Sequence, residues 1–180
     1  MGKLAEQVMI DKLKSKIAEI IKPAQYAYRA NVSTRDALLQ YIDDCTTFLD
    51  KQKVKFVQSA CLDFSKAFDR IQPSIVLGKM KSYGFSTSVI ELISSFLCDR
   101  TQCVKFSANF SNIKHFKVGS PQGTKLGPIL WLIYVTDLEM DDFCSLKYAD
   151  DTNFYKPSFS RGQNDLVGEA IAKATDWSSK

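Results

Sequence analysis

The sequence predicts an α+β fold in which a small antiparallel sheet packs against helices. Two observations support this prediction. Short runs rich in β-branched and aromatic residues are interspersed with longer segments of helical periodicity, and neither a repeat nor a linker divides the chain. With 45% apolar and 24% charged residues among 180, the chain can bury a hydrophobic core of its own.

Six segments carry apolar residues at helical spacing, and capping or breaking residues stand at several of their ends. Pro23 ends the first, Ser33 and Thr34 can cap the second, and Gly84 ends the third. The fifth begins in a glycine-rich turn, and Pro128 is tolerated only near its start. The predicted helices span residues 4–21, 34–51, 73–83, 86–97, 123–138 and 162–177.

The strand pattern places acidic residues at the ends of strands. Residues 54–64 are rich in β-branched and aromatic side chains and close on a carboxylate, which predicts a buried strand with Asp63 at its C-terminal end. Two hairpins are also predicted, one from residues 102–107 and 110–118 around Ala108-Asn109, the other from residues 144–148 and 153–155 around Ala149-Asp150-Asp151-Thr152. Both acids of the second hairpin are predicted to lie in its turn.

Composition restricts the class of protein. A net charge of +4 permits a polyanionic partner without requiring one. The five cysteines form no CxxC pair, which fits reduced thiols inside a cell. The first residues carry charges where a signal peptide needs an apolar run, and the longest apolar run, Ile129–Val135, is far shorter than the roughly 20 residues that cross a bilayer. We expect a soluble intracellular protein of the cytoplasm or nucleus, neither secreted nor in a membrane.

The acids at the strand ends suggest a chemistry. Asp63, Asp150 and Asp151 offer hard oxygen ligands with no histidine or CxxC motif nearby, a set that suits Mg²⁺. Two such ions about 3.5–4 Å apart can activate a 3′-hydroxyl and stabilise a pyrophosphate leaving group. Taken alone, an Asp-Asp pair is more often an exposed turn, and the glycine-rich run at residues 119–123 can be a simple connection.

Four segments occur together in one order, and their combination is more informative than any one of them. They are Gln25-Tyr26-Ala27-Tyr28-Arg29 with Ser33-Thr34-Arg35-Asp36-Ala37-Leu38, then Leu62-Asp63-Phe64-Ser65-Lys66-Ala67-Phe68-Asp69, then Gly119-Ser120-Pro121-Gln122-Gly123-Thr124-Lys125-Leu126-Gly127-Pro128, and finally Tyr148-Ala149-Asp150-Asp151. From about residue 3 to its end, the chain resembles the reverse transcriptases of non-LTR (LINE-like, jockey-type) retrotransposons. The last three segments match motifs A, B and C of that family. Ala27 stands where a glycine is usual, and Lys125 where an apolar residue is common.

The resemblance implies a metal site for two Mg²⁺ ions, with Mn²⁺ as a possible substitute. Asp63 and Asp150 would be the shared ligands, and Asp151 the third acid of the catalytic triad. The carbonyl oxygen of Phe64 would be a further metal ligand.

The resemblance also implies contacts with the substrates. The amides of Lys66 and Ala67 would face the triphosphate, and Phe68 would be the steric gate beneath the sugar, although Phe68 can also be a core aromatic. Gln122 and Gly123 would line the incoming nucleotide. The residues proposed to contact primer or template are Tyr148, Arg29 and Arg35, and for the two arginines a solvated face is an equal alternative.

The implied fold is a polymerase palm with partial helical fingers. Residues 1–52 are expected to form partial fingers and finger-to-palm helices, and residues 53–180 a palm, in one compact unit without a thumb and without the family's earlier finger hairpin. The implied function is RNA-directed DNA synthesis on an RNA or DNA template with primer and deoxynucleoside triphosphates. Two alternatives stay open, a catalytically silent remnant that only binds nucleic acid and another two-metal enzyme such as a nucleotide cyclase. The sequence leaves the oligomeric state open.

Overall fold

The computed structural model describes residues 2–51, 53–159 and 166–178. Within them lie six α-helices and seven strands, so the predicted mixture of helix and antiparallel sheet is confirmed. The helices are α1 Lys3–Ile20, α2 Thr34–Leu49, α3 Pro73–Ser82, α4 Thr87–Leu97, α5 Leu126–Val135 and α6 Leu166–Ser178. The strands are β1 Phe56–Leu62, β2 Arg100–Gln102, β3 Lys105–Phe106, β4 Asn109–Phe110, β5 Lys114–Phe116, β6 Cys144–Tyr148 and β7 Asp151–Ser158. The predicted start of the last helix, at Gly162, falls outside the described residues.

The chain divides into two compact units, each made from two separate stretches. The first comprises Met1–Ile21 and Lys66–Thr136, and the second Lys22–Ser65 and Asp137–Lys180. These bounds differ from the expected single unit with a division after residue 52, because α1 packs against α4 and α5 whereas α2 packs against β1, β6 and β7. The assignment of fingers and palm to particular residues stays a prediction.

The first unit has a helical core built around α5. This helix, LGPILWLIYV, is apolar on nearly every side, so it is buried rather than amphipathic. Leu126, Leu130 and Ile133 are almost completely buried in it, and α1 and α3 pack against it. Each such side chain contributes about 1.5–3 kcal/mol when it leaves water.

The predicted hairpin of the first unit is present, with its turn one residue earlier than expected. Strands β2 and β5 pair, and within them β3 pairs with β4. Asn109 lies in β4 opposite Phe106, so the turn consists of Ser107 and Ala108 rather than Ala108 and Asn109. Ser107 adopts the left-handed conformation, with φ at 54°, that lets two residues reverse the chain.

The second unit is a three-stranded antiparallel sheet in the order β1-β7-β6, covered by helices on its two faces. Neighbouring residues of β7 point to opposite faces. Phe154 packs into an apolar cluster with Ala170 of α6, whereas the ring of Tyr155 packs edge-on against Tyr41 of α2, with centroids 4.9 Å apart. Among the described residues, no helix combines the length and apolarity needed to cross a membrane.

Candidate active site

The three predicted catalytic acids lie at one end of the sheet of the second unit. Asp63 directly follows β1, whose last residue, Leu62, pairs with Thr152 of β7. Asp151 precedes Thr152 and pairs with Tyr148 of β6. Asp150 occupies the turn between β6 and β7. Strand register therefore brings together acids that are almost 90 residues apart in the chain.

The hairpin turn is shorter than the sequence predicted. The sequence predicts that Asp151 lies in the turn with Asp150, but in the structure Asp151 begins β7. Only Ala149 and Asp150 form the connection, because Ala149 adopts a left-handed conformation with φ at 59° and the chain reverses within two residues. Asp150 and Asp151 therefore differ in backbone setting, one in a turn and one in a strand.

The donor chemistry of these acids suits Mg²⁺, but the described residues do not form a finished metal site. Asp63 and Asp151 are exposed and Asp150 is half-buried. Within the described parts of the chain, no three or more His, Cys, Asp or Glu side chains are grouped so that they could hold a metal ion. Carboxylate oxygens are the protein ligands that Mg²⁺ prefers, and Mg²⁺ commonly takes further ligands from water and substrate phosphates.

The segment just after Asp63 is anchored through Phe64. Its half-buried ring packs edge-on against Trp177 of α6, with centroids 6.0 Å apart. Trp177 in turn donates a hydrogen bond from Nε1 to Asp137 Oδ1 at 2.9 Å. This anchoring limits how far the backbone beside Asp63, including the Phe64 carbonyl, can move.

Tyr28 is a residue near the acids that sequence reasoning did not single out. Its loop is tied to the edge strand β6, because the Tyr26 N–H donates to the Lys147 carbonyl at 2.9 Å and the Lys147 N–H donates to the Ala24 carbonyl at 2.8 Å. Burial, followed by the charge of Asp150, raises the pKa of Tyr28. The second aromatic of the Gln-Tyr-Ala-Tyr-Arg segment was the available signal.

The two arginines predicted to contact phosphate have different settings. Arg29 donates from Nη1 to the carbonyls of Pro23 at 3.2 Å and Gln25 at 2.9 Å, so it stabilises its own loop. Arg35 is exposed in the first turn of α2, beside Asp36. Hydrogen bonds from the Ser33 hydroxyl, and then from its N–H, lower the pKa of Asp36. Phosphate binding by either arginine stays a prediction.

The residues predicted to contact the nucleotide lie in the first unit, and hydrogen bonds join their two segments. The Ser120 N–H donates to the Phe68 carbonyl at 2.8 Å, and the Gly119 N–H donates to the Ile71 carbonyl at 2.7 Å. Gln122 Nε2 donates to Asp69 Oδ1 at 3.0 Å. The loop of residues 119–125, called the motif B loop below, is thus held against the chain that follows Lys66.

The local conformations of these nucleotide-site residues are specific. Lys66 is exposed with φ at 56° and precedes a short 3₁₀ turn that buries Ala67. The half-buried Phe68 ring lies 6.0 Å from the ring of Trp131. Gly123 is exposed with φ at 76°, a conformation that glycine adopts without strain.

Gly119 is required at the start of the motif B loop. Its φ is 85°, and a Cβ at this position would lie 2.8 Å from the carbonyl oxygen of Asp69. Both the conformation and the close approach of two backbone segments exclude a side chain. The motif therefore begins with glycine because of packing inside the protein.

Two further residues hold the motif B loop, and sequence reasoning missed both. Arg100 donates from Nη2 to the carbonyls of Gly119 at 2.5 Å and Val118 at 3.1 Å, and from Nε to the Leu97 carbonyl at 3.0 Å. Burial lowers the pKa of Arg100. Glu6, which is 7% exposed, accepts a hydrogen bond from the Lys125 N–H at 2.8 Å, at the N-terminus of α5. A carboxylate there also interacts favourably with the helix dipole.

Comparison with known proteins shows which family this chain belongs to. The family model "Reverse transcriptase (RNA-dependent DNA polymerase)" matches residues 1–178. The chain belongs to the reverse transcriptase family. It is 28% identical over 163 residues, 84% of its length, to the RNA-directed DNA polymerase from the mobile element jockey of Drosophila melanogaster. It is 25% identical over 193 aligned positions to the Pol polyprotein from type-1 retrotransposable element R1 of Bradysia coprophila. The predicted kinship with jockey-type and other non-LTR elements is confirmed.

Solved structures similar to this reverse transcriptase domain include telomerases. Apo telomerase from Candida tropicalis, truncated from its C-terminal domain, superposes with a TM-score of 0.64 at 19% identity, over 97% of this chain and 36% of that one. The Candida tropicalis telomerase in complex with a fragment of telomeric RNA gives 0.67 at 16% identity, over 96% and 30%. The α+β polymerase palm fold is therefore confirmed. The reverse transcriptase domain spans 18% of the length of each of the two curated relatives above.

Proposed function

We propose that this chain supplies the catalytic core of an RNA-directed DNA polymerase, which adds deoxynucleotides to a primer 3′-hydroxyl on an RNA or DNA template. The observation that supports this most directly is the register of the sheet, in which Asp63, Asp150 and Asp151 converge at one end beside Tyr148. Three carboxylates at one end of a sheet need cations to neutralise their negative charge when an anionic substrate approaches. Family membership makes a nucleoside triphosphate the substrate to test.

In this proposal Asp63, Asp150 and Asp151 hold two Mg²⁺ ions, or Mn²⁺ in their place, and the Phe64 carbonyl is a further ligand. The metal ions, when bound, supply activation of the primer hydroxyl and charge neutralisation at the triphosphate. Tyr148, the cross-strand partner of Asp151, lies beside the primer terminus. Mg²⁺ is commonly held by a few carboxylates together with substrate phosphates, so the acids of the protein do not have to complete the coordination by themselves.

In the same proposal, the nucleotide is bound by the motif B loop and by the residues from Lys66 to Phe68. The Lys66 and Ala67 amides face the triphosphate, and Gln122 and Gly123 line the base and sugar. Phe68 excludes a ribose 2′-hydroxyl by steric overlap. Its ring is half-buried, so part of the aromatic surface is available to contact a nucleotide.

The proposal is tested by primer extension on an RNA template with the purified chain in Mg²⁺ or Mn²⁺. Asp150→Asn removes a metal ligand without altering side-chain volume, and it should lower extension at least about 100-fold. Asp151→Asn should lower it less, because in this proposal Asp150 is a ligand shared by both ions, whereas Asp151 is the third acid. Asp141→Asn, an exposed acid of the same unit, is the matched control.

The melting temperature of all three variants should match the wild type, since no described contact of the fold depends on these carboxylates. Extension that is equal in Asp150→Asn and Asp141→Asn would contradict the site assignment. Tight primer-template binding without extension, in every metal, would instead identify a catalytically silent remnant.

A further inference from the structure

The hairpin that contains β2 to β5 exposes an unusual amount of apolar surface. Every residue from 101 to 118, called the hairpin surface below, is exposed. The large apolar side chains among them include Phe106 at 81% exposure, Phe110 at 64% and Ile113 at 67%. Several exposed apolar side chains of this size, gathered in one hairpin of a folded protein, often mark an interaction site.

The charge of the hairpin surface points to the kind of partner. It contains Lys105, Lys114 and Lys117 and neither an aspartate nor a glutamate. Those three positive charges stand in 18 residues, whereas the whole chain of 180 has a net charge of +4. Within the described part of the chain, none of the three lysines forms an ion pair. A polyanion would therefore meet positive charge without any repulsion from this surface.

Aromatic and cationic groups alternate along the hairpin. Lys105 pairs directly with Phe110 across the two strands, and its Nζ lies 5.5 Å from the centre of the Phe110 ring. Phe106 is on the opposite face, next to Lys105 in sequence. Exposed aromatic rings flanked by lysines form the surface on which single-stranded bases stack while phosphates contact the cations.

We propose that the hairpin surface binds a single strand of RNA or DNA, with stacking on Phe106 and Phe110 and phosphate contacts from Lys105, Lys114 and Lys117. A protein partner is the weaker match, because covering three lysines requires acids on that partner to offset their desolvation. A nucleic-acid strand supplies an anion at every residue and an apolar ring beside it. The binding requires neither metal nor nucleotide, so it is separate from the proposed catalysis.

The test is fluorescence anisotropy of labelled oligo(dT) and oligo(rU), titrated with the chain at several KCl concentrations. In the triple variant Lys105→Ala/Lys114→Ala/Lys117→Ala, the slope of log K against log salt should fall by about 2, since each phosphate contact on a single strand contributes about 0.7. The matched control is Lys3→Ala/Lys12→Ala/Lys81→Ala, which removes the same charge from exposed helical positions of the same unit. Its slope should stay near that of the wild type.

A second pair of variants examines stacking. Phe106→Ala and Phe110→Ala should each weaken binding about tenfold and leave the salt slope unchanged, because they remove stacking but no charge. Comparing the two oligonucleotides separates a general strand-binding surface, with equal affinities, from one that prefers RNA. Both results support the proposal.

Two results would overturn the proposal. One is equal loss of salt slope in the hairpin and control triple variants. The other is a combination of two observations. Phe106→Ala and Phe110→Ala bind the oligonucleotides as tightly as the wild type, and in sedimentation they lose a self-association that the wild type shows. The surface would then be a protein interface. Asp150→Asn should bind the oligonucleotides as the wild type does, so failure of the catalytic proposal and failure of this one give different results.

Discussion

The two units position their candidate site residues by different means. In the second unit, the register of β1, β7 and β6 carries the acids to one end of the sheet, and that register depends on backbone hydrogen bonds and on apolar packing elsewhere. In the first unit, the motif B loop has no regular structure of its own. It is held by two backbone hydrogen bonds, to the carbonyls of Phe68 and Ile71, and by hydrogen bonds of three single side chains. These side chains are Arg100, Glu6 and Gln122.

This difference has a consequence for mutation. Acids placed by strand register can be replaced without changing where the chain runs, so their loss should affect chemistry alone. A loop held by particular hydrogen bonds and one close backbone approach should move when any of these is changed. Stability and function are therefore expected to separate in the second unit and to be linked in the first.

Gly119→Ala should give the largest loss of stability among single substitutions in the motif B loop. The new Cβ would lie 2.8 Å from the Asp69 carbonyl oxygen, and the residue would be strained at φ of 85°. Together these should lower the free energy of unfolding by about 2–4 kcal/mol, measured by urea denaturation. Gly78→Ala is the control, since nothing lies within 4 Å of its new Cβ and alanine favours its helix by about 0.5–1 kcal/mol. Equal stability in the two variants would show that the loop is not fixed at Gly119.

The sequence predicts the positions of Asp63 and Asp150 at the ends of strands more completely than it predicts the contacts that hold the motif B loop. Asp63 follows a run of β-branched and aromatic residues, so its place at a strand end is a local property. That Asp151 begins a strand was missed, because the two-residue turn depends on a left-handed Ala149 and alanine does not signal that conformation. Arg100 and Glu6 act on partners 19 and 119 residues away, and no local pattern predicts such contacts.

Phe68→Val tests whether a site residue of the first unit can be altered without altering the loop. If Phe68 is the steric gate, its ring excludes the ribose 2′-hydroxyl by overlap, and valine removes that overlap. A hydrophobic pocket alone rejects an added hydroxyl only about 10²-fold, so the ratio of ribonucleotide to deoxynucleotide incorporation in primer extension should rise by at least about tenfold. The ring also packs 6.0 Å from Trp131, so about 1–3 kcal/mol of stability should be lost as well. An unchanged ratio with lower stability would identify Phe68 as a core residue only.

Arg100→Lys should loosen the motif B loop while keeping the charge. Arg100 donates to the Leu97 carbonyl from Nε and to the Val118 and Gly119 carbonyls from Nη2, and the single nitrogen of lysine cannot occupy both positions. A loss of about 1–2 kcal/mol is therefore expected. Hydrogen exchange of the amides of Gly119 and Ser120 should become faster. Arg70→Lys, an exposed arginine in the same unit, is the control. Unchanged exchange in Arg100→Lys would mean that the backbone hydrogen bonds to Phe68 and Ile71 suffice.

Tyr155→Phe should have a small effect on stability at neutral pH and a distinctive one at high pH. The Tyr155 hydroxyl donates to Asp44 Oδ2 at 2.5 Å, and its loss should destabilise the second unit by about 1–2 kcal/mol.

Burial, followed by this hydrogen bond, raises the pKa of Tyr155 far above its usual value of 10. The folded phenol therefore keeps its proton while the unfolded one loses it. The stability from this difference is fully present below pH 10 and is lost as the pH rises above it, by about 1.4 kcal/mol per pH unit.

Tyr155→Phe should lack this alkaline slope, whereas Tyr41→Phe, which keeps the ring contact with Tyr155, should retain it. Urea denaturation at pH 9, 10 and 11 measures the slope. Parallel slopes in the wild type and Tyr155→Phe would show that the Tyr155 phenol ionises as readily in the folded unit as in the unfolded chain.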